Sequence, residues 1–424
     1  MGRKALPLGG ILSVLAMFSA PALALPFAPI EPVSYALGGT GVSSASNTYA
    51  GYLNPALLAI NEGQKADLPP TAVLGYRYFD RQNVMDTLIS YKDSGAVQAY
   101  DTELARFKNE IYIDNDPAKS RALIAEKAIE IRNHLNGHEV DLRFRGLADK
   151  PVQQEYMAAI VVAIPHDKFN MSFSLSRKML GGAIIEITDS DLNELERVAD
   201  AAGEDSLLSD EPFDSSQFTS RFNGRGLNST EFGLSIAQNY TLGGHDIAVG
   251  ITPKFILATS FDYAEHVHTA DFETDLGTKN NSAFDVDVGA VKSYGNGWSA
   301  GVAIKNLIGQ KYKTRLGNEI RIKPQARIGV SHAMKWAAVA IDMDLNKSES
   351  LGLESQTQYL GIGAELNVFD MSTVRIGYRS NLSDETTSVA TVGFGIKVYG
   401  VQVDLAVGAN EDEIDVAASA GYQF

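Results

Sequence analysis

Residues 413–424 read Glu413-Ile414-Asp415-Val416-Ala417-Ala418-Ser419-Ala420-Gly421-Tyr422-Gln423-Phe424. Ile414, Val416, Ala418, Ala420, Tyr422 and Phe424 occupy one set of alternate positions, and Glu413, Asp415, Ala417, Ser419, Gly421 and Gln423 the other. Successive side chains of a strand point to opposite faces, so this spacing predicts a strand with one apolar face and one mostly small or polar face. The same period recurs upstream. Val401, Val403, Leu405 and Val407 alternate with Gln402, Asp404, Ala406 and Gly408, and Phe284, Val286, Val288 and Ala290 alternate with Asp285, Asp287 and Gly289. Ile322, Ala326, Ile328 and Val330 likewise lie opposite Lys323, Gln325, Arg327 and Gly329.

Segmented by this pattern, the chain yields fourteen strands, near 71–79, 154–165, 169–178, 228–241, 245–260, 281–294, 297–308, 321–333, 335–346, 355–367, 370–380, 388–399, 401–409 and 413–424. The connections after the second, fourth, sixth, eighth, tenth and twelfth are short turns, whereas those after the first, third, fifth, seventh, ninth and eleventh are longer. Short turns at one end and long loops at the other are the asymmetry of barrels that cross the bacterial outer membrane, whose strand number is even. Phe169, Tyr240, Trp298, Trp336, Phe369, Tyr399, Tyr422 and Phe424 gather near the short turns or the last strand end, where an interfacial aromatic girdle would lie. A soluble sandwich or lipocalin-like barrel shares the alternation. The loop asymmetry and the Asp, Lys, Arg and Gln on the second face favour the membrane barrel. The expected fold is therefore all-β: a transmembrane antiparallel β-barrel of about 14 strands over 71–424, with insertions at 80–153 (helical) and 179–227 (acidic, partly helical).

Composition narrows the function. The 424 residues hold 52 Asp and Glu against 36 Lys and Arg, for a net charge of −16, the wrong sign for gaining affinity from nucleic-acid phosphates. There is no Cys, which excludes thiol chemistry and thiolate-held metal. The longest apolar run after the leader, Tyr156–Ile164, is nine residues, against the roughly 20 of a membrane-spanning helix. Residues 1–24 read as a secretory signal peptide: Arg3 and Lys4 form the positive start, Leu6 to Phe18 the apolar core, and Ala22-Leu23-Ala24 the cleavage site.

Ala36-Leu37-Gly38-Gly39-Thr40-Gly41-Val42-Ser43-Ser44-Ala45 follows the leader, and then Tyr52-Leu53-Asn54-Pro55-Ala56-Leu57-Leu58. This opening resembles the FadL/TodX family of outer-membrane transport proteins. The resemblance implies that a Gly-rich stretch and an Asn-Pro-Ala motif belong to an N-terminal hatch, here residues 25–70, inside a fourteen-strand barrel. The chain as a whole is most similar to the branch of TraF-type conjugal transfer proteins. A C-terminal Phe424 with Tyr422 before it resembles the signal read by the barrel assembly machinery. By their chemistry, Gly38, Gly39 and Gly41 let backbone pack where a side chain would clash, and Pro55 fixes φ. A nucleotide loop would require a preceding strand and a following Lys, and both are lacking.

Further candidates lie in the body of the chain. If Tyr156, Ala158, Ile160, Val162 and Ile164 face lipid, then Met157, Ala159, Val161 and Ala163 form an apolar strip in the lumen, available either to a greasy cargo or to the hatch. Gly181 and Gly182 mark either a kink, with a lateral opening as in the FadL resemblance, or the start of an outer loop. Asp116 and Pro117 open an amphipathic helix carrying Leu123, Ile124, Ile131 and Leu135, and a second helix begins near Ser190 with Leu192, Leu195 and Val198. Their apolar stripes can pack on neighbours or form a shallow capture groove. His266 and His268, with Glu265, lack a supporting ligand cluster, and the acidic Asp114 and Asp210 stretches lack the Gly and distal Glu of a calcium loop. No nucleophile elbow or zinc-helix motif occurs. The expectation is an outer-membrane barrel of a Gram-negative cell that is not an enzyme and uses no cofactor. Its expected partners are membrane lipid, the assembly machinery and a hydrophobic small molecule rather than nucleic acid. It would act as a passive channel or, alternatively, as a structural or interaction barrel linked to conjugal transfer or surface contact.

Overall fold

A computed structural model describes residues 30–60 with Phe27, 70–84, 150–164 with Ala148, 170–191 with Asn193, 218–243, 245–266, 277–348, 356–368, 371–384 and 387–422. Three short helices come first: α1 (Pro32–Ala36), α2 (Asn47–Leu53) and α3 (Leu57–Ile60). The strands are β1 (Thr71–Asp80), β2 (Val152–Ile164), β3 (Asn170–Glu186), β4 (Arg221–Leu242), β5 (His245–His266), β6 (Gly277–Ser293), β7 (Trp298–Lys305), β8 (Gln310–Lys313), β9 (Glu319–Ile322) and β10 (Gln325–Ala333). β11 (Ala337–Asp344), β12 (Tyr359–Val368), β13 (Ser372–Asn381), β14 (Val389–Val398), β15 (Val401–Ala409) and β16 (Glu413–Tyr422) complete them.

Fourteen of these strands form a closed antiparallel barrel, sealed by β1 on β16 with Thr71 opposite Gly421 and Phe79 opposite Glu413. Closure pairs every strand on both sides, which a barrel needs because lipid offers no partner to a bare sheet edge. The apolar members of the alternating pattern point outward: Leu74, Ile376 and Ile414 are each about 60% exposed. Their neighbours Arg77, Arg375 and Asp415 point inward and are buried. That is the inverse of a soluble barrel and identifies the surrounding medium as hydrocarbon. Tyr240, Trp298, Trp336, Tyr399 and Tyr422 stand exposed at the short-turn end as an aromatic girdle. Phe169, Phe369 and Phe424 lie outside the described residues.

The structure corrects the strand pattern in two places. β4 and β5 run for 22 residues each, roughly twice the 9–11 that cross a bilayer. β3 reaches Glu186 and β4 starts at Arg221, so the ends of the stretch read as an insertion at 179–227 are barrel wall. The segment read as one strand from 321 to 333 is broken at Pro324, which has no N–H for a ladder. Its first part, β9, pairs instead with β8 as a separate hairpin. That hairpin folds into the barrel, where Tyr312, Ile320 and Ile322 pack on the inner faces of Leu180, Leu227, Ile256 and Ala258. Asp262 on β5 pins its tip, accepting from Thr314 Oγ1 at 2.5 Å, Asn318 Nδ2 at 3.0 Å and the Leu316 N–H at 3.2 Å.

The reading of Gly181 and Gly182 as a kink or loop start is also corrected. Both lie within β3 in unbroken register, opposite Gln154 and Gln153 on one side and Gly226 and Arg225 on the other. Gly226 has no side chain because the Phe261 ring lies across it, and a Cβ on Gly181 would come within 3.5 Å of the same ring. These glycines seat an aromatic on the outer wall. The amphipathic helix starting at Asp116 and the apolar stripe of the second helix lie outside the described residues.

Candidate functional site

The N-terminal segment is threaded through the lumen as a plug. Glu31 caps α1, its carboxylate accepting from the Val33 N–H at 2.9 Å and the Ser34 N–H at 2.6 Å, with Pro32 in the first turn. Burial pushes the Glu31 carboxyl up to about 7 in spite of these two donors. Gly38 and Gly39 then turn the chain with φ of 69° and 82°, a region that strains any other residue. The turn is held from both sides. Asp342 Oδ2 accepts from the N–H groups of Gly41 and Val42 at 2.8 and 2.9 Å, while Arg327 donates to the Gly39 carbonyl at 2.7 Å and to Asp344 at 2.6 Å.

The Asn-Pro-Ala motif is the second anchor. Fully buried Asn54 donates its amide N–H groups to the carbonyls of Val42 at 2.8 Å and Val302 at 3.2 Å, and its Oδ1 accepts from the Ala56 N–H at 3.1 Å. Both anchors sit directly on the backbone of the wall. A Cβ on Gly289 would overlap Asn54 Oδ1, one on Gly250 would overlap the Pro55–Ala56 peptide, and one on Gly377 would overlap the Gly38 N–H group. The wall therefore carries glycines where the plug's motif residues arrive. The hydroxyl of Tyr35 donates to Asp415, and that of Tyr49 meets Ser419 Oγ at 2.7 Å.

Of the strip on β2, Met157, Ala159 and Val161 are buried against Tyr49, Leu53, Ala56 and Leu57 of the plug, while Ala163 is partly exposed near the turn end. Each large apolar side chain buried there contributes on the order of 1.5–3 kcal/mol. Above Tyr35, Arg77 and Arg379 are buried among acids. Arg77 reaches Glu155 at 2.9 Å and Asp415 at 3.2 Å, and Arg379 reaches Glu413 at 2.5 Å. The sequence shows these charges as one polar face of each strand; their convergence depends on closure of the barrel.

Between the plug and the β8–β9 hairpin remains a chamber of about 90 Å³. Phe27, Gly51 and Tyr52 of the plug line one side, Tyr312 and Ile322 the other, and Leu180, Leu227 and Ile256 the apolar wall. The polar wall is ion-paired: Lys178 with Glu231 at 3.2 Å, and Lys254 with Asp287 at 2.8 Å. Lys305 donates to the Phe27 carbonyl at 2.9 Å and lies over its ring at 4.4 Å. A second cavity, of about 300 Å³, lies toward the turn end and touches Glu31, Ser34, Tyr49, Leu53 and Arg375, so α2 separates the two spaces. Among the described residues no three His, Asp or Glu side chains converge as a metal site; His268 lies outside them.

A fourteen-strand transmembrane barrel with an N-terminal plug defines the class, and two crystal structures of the toluene transporter TodX of Pseudomonas putida are similar to it in fold. They match over 94% and 95% of this chain and 99% of theirs, at 10% and 11% identity and a TM-score of 0.50 each. A Pseudomonas aeruginosa FadL homologue is similar over 95% of this chain and 99% of its own, at 11% identity and a TM-score of 0.49. No curated protein matches the sequence. The family model described as F plasmid transfer operon, TraF, protein matches residues 51–344, and the chain belongs to that family.

Proposed function

We propose that this protein is a passive channel of the bacterial outer membrane, held closed by residues 25–60 and admitting small molecules with a hydrophobic body. The observation that carries the reading is a plug seated by backbone contacts on wall glycines, with separate cavities on either side of α2. A barrel serving only as a scaffold needs no cavities along its axis. The name of TodX, a toluene transporter, supports an apolar cargo. The chamber lining modifies that reading, because Lys178, Glu231, Lys254 and Asp287 stand opposite Leu180, Leu227 and Ile256 and suit a cargo with a polar end. With β3 unbroken at Gly181 and Gly182, the route proposed is axial. Membrane lipid and the barrel assembly machinery are the proposed partners, with Tyr422 and Phe424 as the assembly signal; no catalytic role is assigned.

Family membership favours a second reading, an interaction barrel in conjugal transfer, and the strand length of β4 and β5 beyond a bilayer crossing would serve it. Planar-bilayer conductance and liposome uptake of toluene and of a sugar, with and without residues 25–60, separate the two. A channel gains conductance when the plug is removed, and the intact protein passes toluene faster than the sugar. Unchanged conductance after deletion would leave the interaction reading standing.

A further inference from the structure

We infer that the chamber beneath the β8–β9 hairpin is a binding site for a short-chain primary ammonium compound, with Asp285 and Tyr312 holding its charged end. Asp285 is fully buried on the inner face of β6. Its Oδ1 already accepts the N–H groups of Val286 at 2.7 Å and Ile308 at 3.1 Å, while its Oδ2 has no partner among the described residues. The hydroxyl of Tyr312, on β8, is buried too and likewise has no partner among the described residues. Both side chains line the same cavity. A buried carboxylate oxygen and a buried hydroxyl left unmatched are each unfavourable, so a ligand that satisfies both is favoured at this position.

The lysines decide the sign of that ligand. Lys254 lies opposite Asp285 in the ladder, yet its ammonium turns away to Asp287 at 2.8 Å and Asn306 Oδ1 at 2.9 Å. Lys178 is taken by Glu231 and Lys305 by the carbonyl and ring of Phe27. An incoming anion would have to dislodge one of these contacts. An ammonium group entering the chamber finds a buried carboxylate oxygen without a partner and a hydroxyl that can accept, and an attached alkyl chain finds Leu180, Leu227 and Ile256 beside it.

This site deepens the channel reading, because its ligand must reach the lumen, but its test requires no flux. Isothermal titration of the purified full chain in detergent would compare n-butylammonium, n-butanol and n-butyrate on wild type, Asp285→Asn and Tyr312→Phe. Butylammonium should bind tightest. Asp285→Asn should weaken it at least tenfold and Tyr312→Phe several-fold, with heat-modifiable migration reporting that each barrel is folded. Should Asp285→Asn not fold, Tyr312→Phe alone decides. Butyrate binding as well as butylammonium, or unchanged butylammonium affinity in the folded variants, would overturn the assignment. A plug deletion without effect on conductance would count against the channel while leaving such binding intact.

Discussion

Asn54 and Glu31 both stand at buried helix ends inside the barrel, and they meet the demand for hydrogen bonds differently. Asn54 is neutral and satisfies plug and wall carbonyls with one amide. Glu31 satisfies two N–H groups with a group that ionises, and burial raises its carboxyl from 4.5 to about 7. A carboxyl whose affinity for protons is raised in the seated plug stabilises seating most at pH below about 4.5. That contribution falls as pH rises toward about 7 and is flat above it, up to about 3 kcal/mol in all. Thiol labelling of a Thr40→Cys protein, expressed as a rate relative to the same protein carrying Glu31→Gln, should therefore rise across that interval, because the amide has no proton to lose. A constant ratio would mean that Glu31 is charged in place. Neither role can be read from sequence, since burial of residue 31 depends on walls formed by strands three hundred residues later.

The strands were legible in proportion to their contact with lipid. β13, β14 and β15 alternate apolar and polar residues along their whole length and lie where the period places them. The far half of β4 reads Arg221-Phe222-Asn223-Gly224-Arg225-Gly226, with no apolar stripe, because no hydrocarbon selects one there. The β8–β9 hairpin was missed for a related reason: Ile320 and Ile322 have strand spacing, but they face inward onto Leu180 and Leu227, and only Pro324 hinted that the wall does not continue through them. The Gly-rich run and Asn54-Pro55-Ala56 were visible as motifs. Their partners Gly250, Gly289 and Gly377 look like ordinary weak points of strands until the plug is set against them. The lipid face gives the prediction at this scale. Ile376→Arg, midway along β13 and 60% exposed, should destabilise the barrel by about 2–4 kcal/mol, whereas Tyr399→Arg in the turn after β14 should cost about 0–1. Equal unfolding midpoints in denaturant titrations from lipid vesicles would contradict the assigned faces.

For the molecule as a whole, the barrel closes at the seam between β1 and β16. If Phe424 is the residue the assembly machinery reads, its deletion should lower the yield of heat-modifiable barrel in the membrane while export continues. Undiminished yield would remove that role. The seam also bears on the plug. Tyr35 is fastened to Asp415, Tyr49 to Ser419 and Gly38 to Thr391, across sequence separations of 380, 370 and 353 residues. Contacts that distant form slowly, since the loop between them must close first. The Tyr35–Gly38 end of the plug, far from these partners in sequence, is thus among the last parts of the fold to find its place. Leu53, Leu57 and Leu58 find cover once β1, β2 and β4 to β6 are in place, whereas Leu37 waits for Gly363 and Gly377 of β12 and β13, so the plug closes like a zip whose two ends are drawn shut at different times.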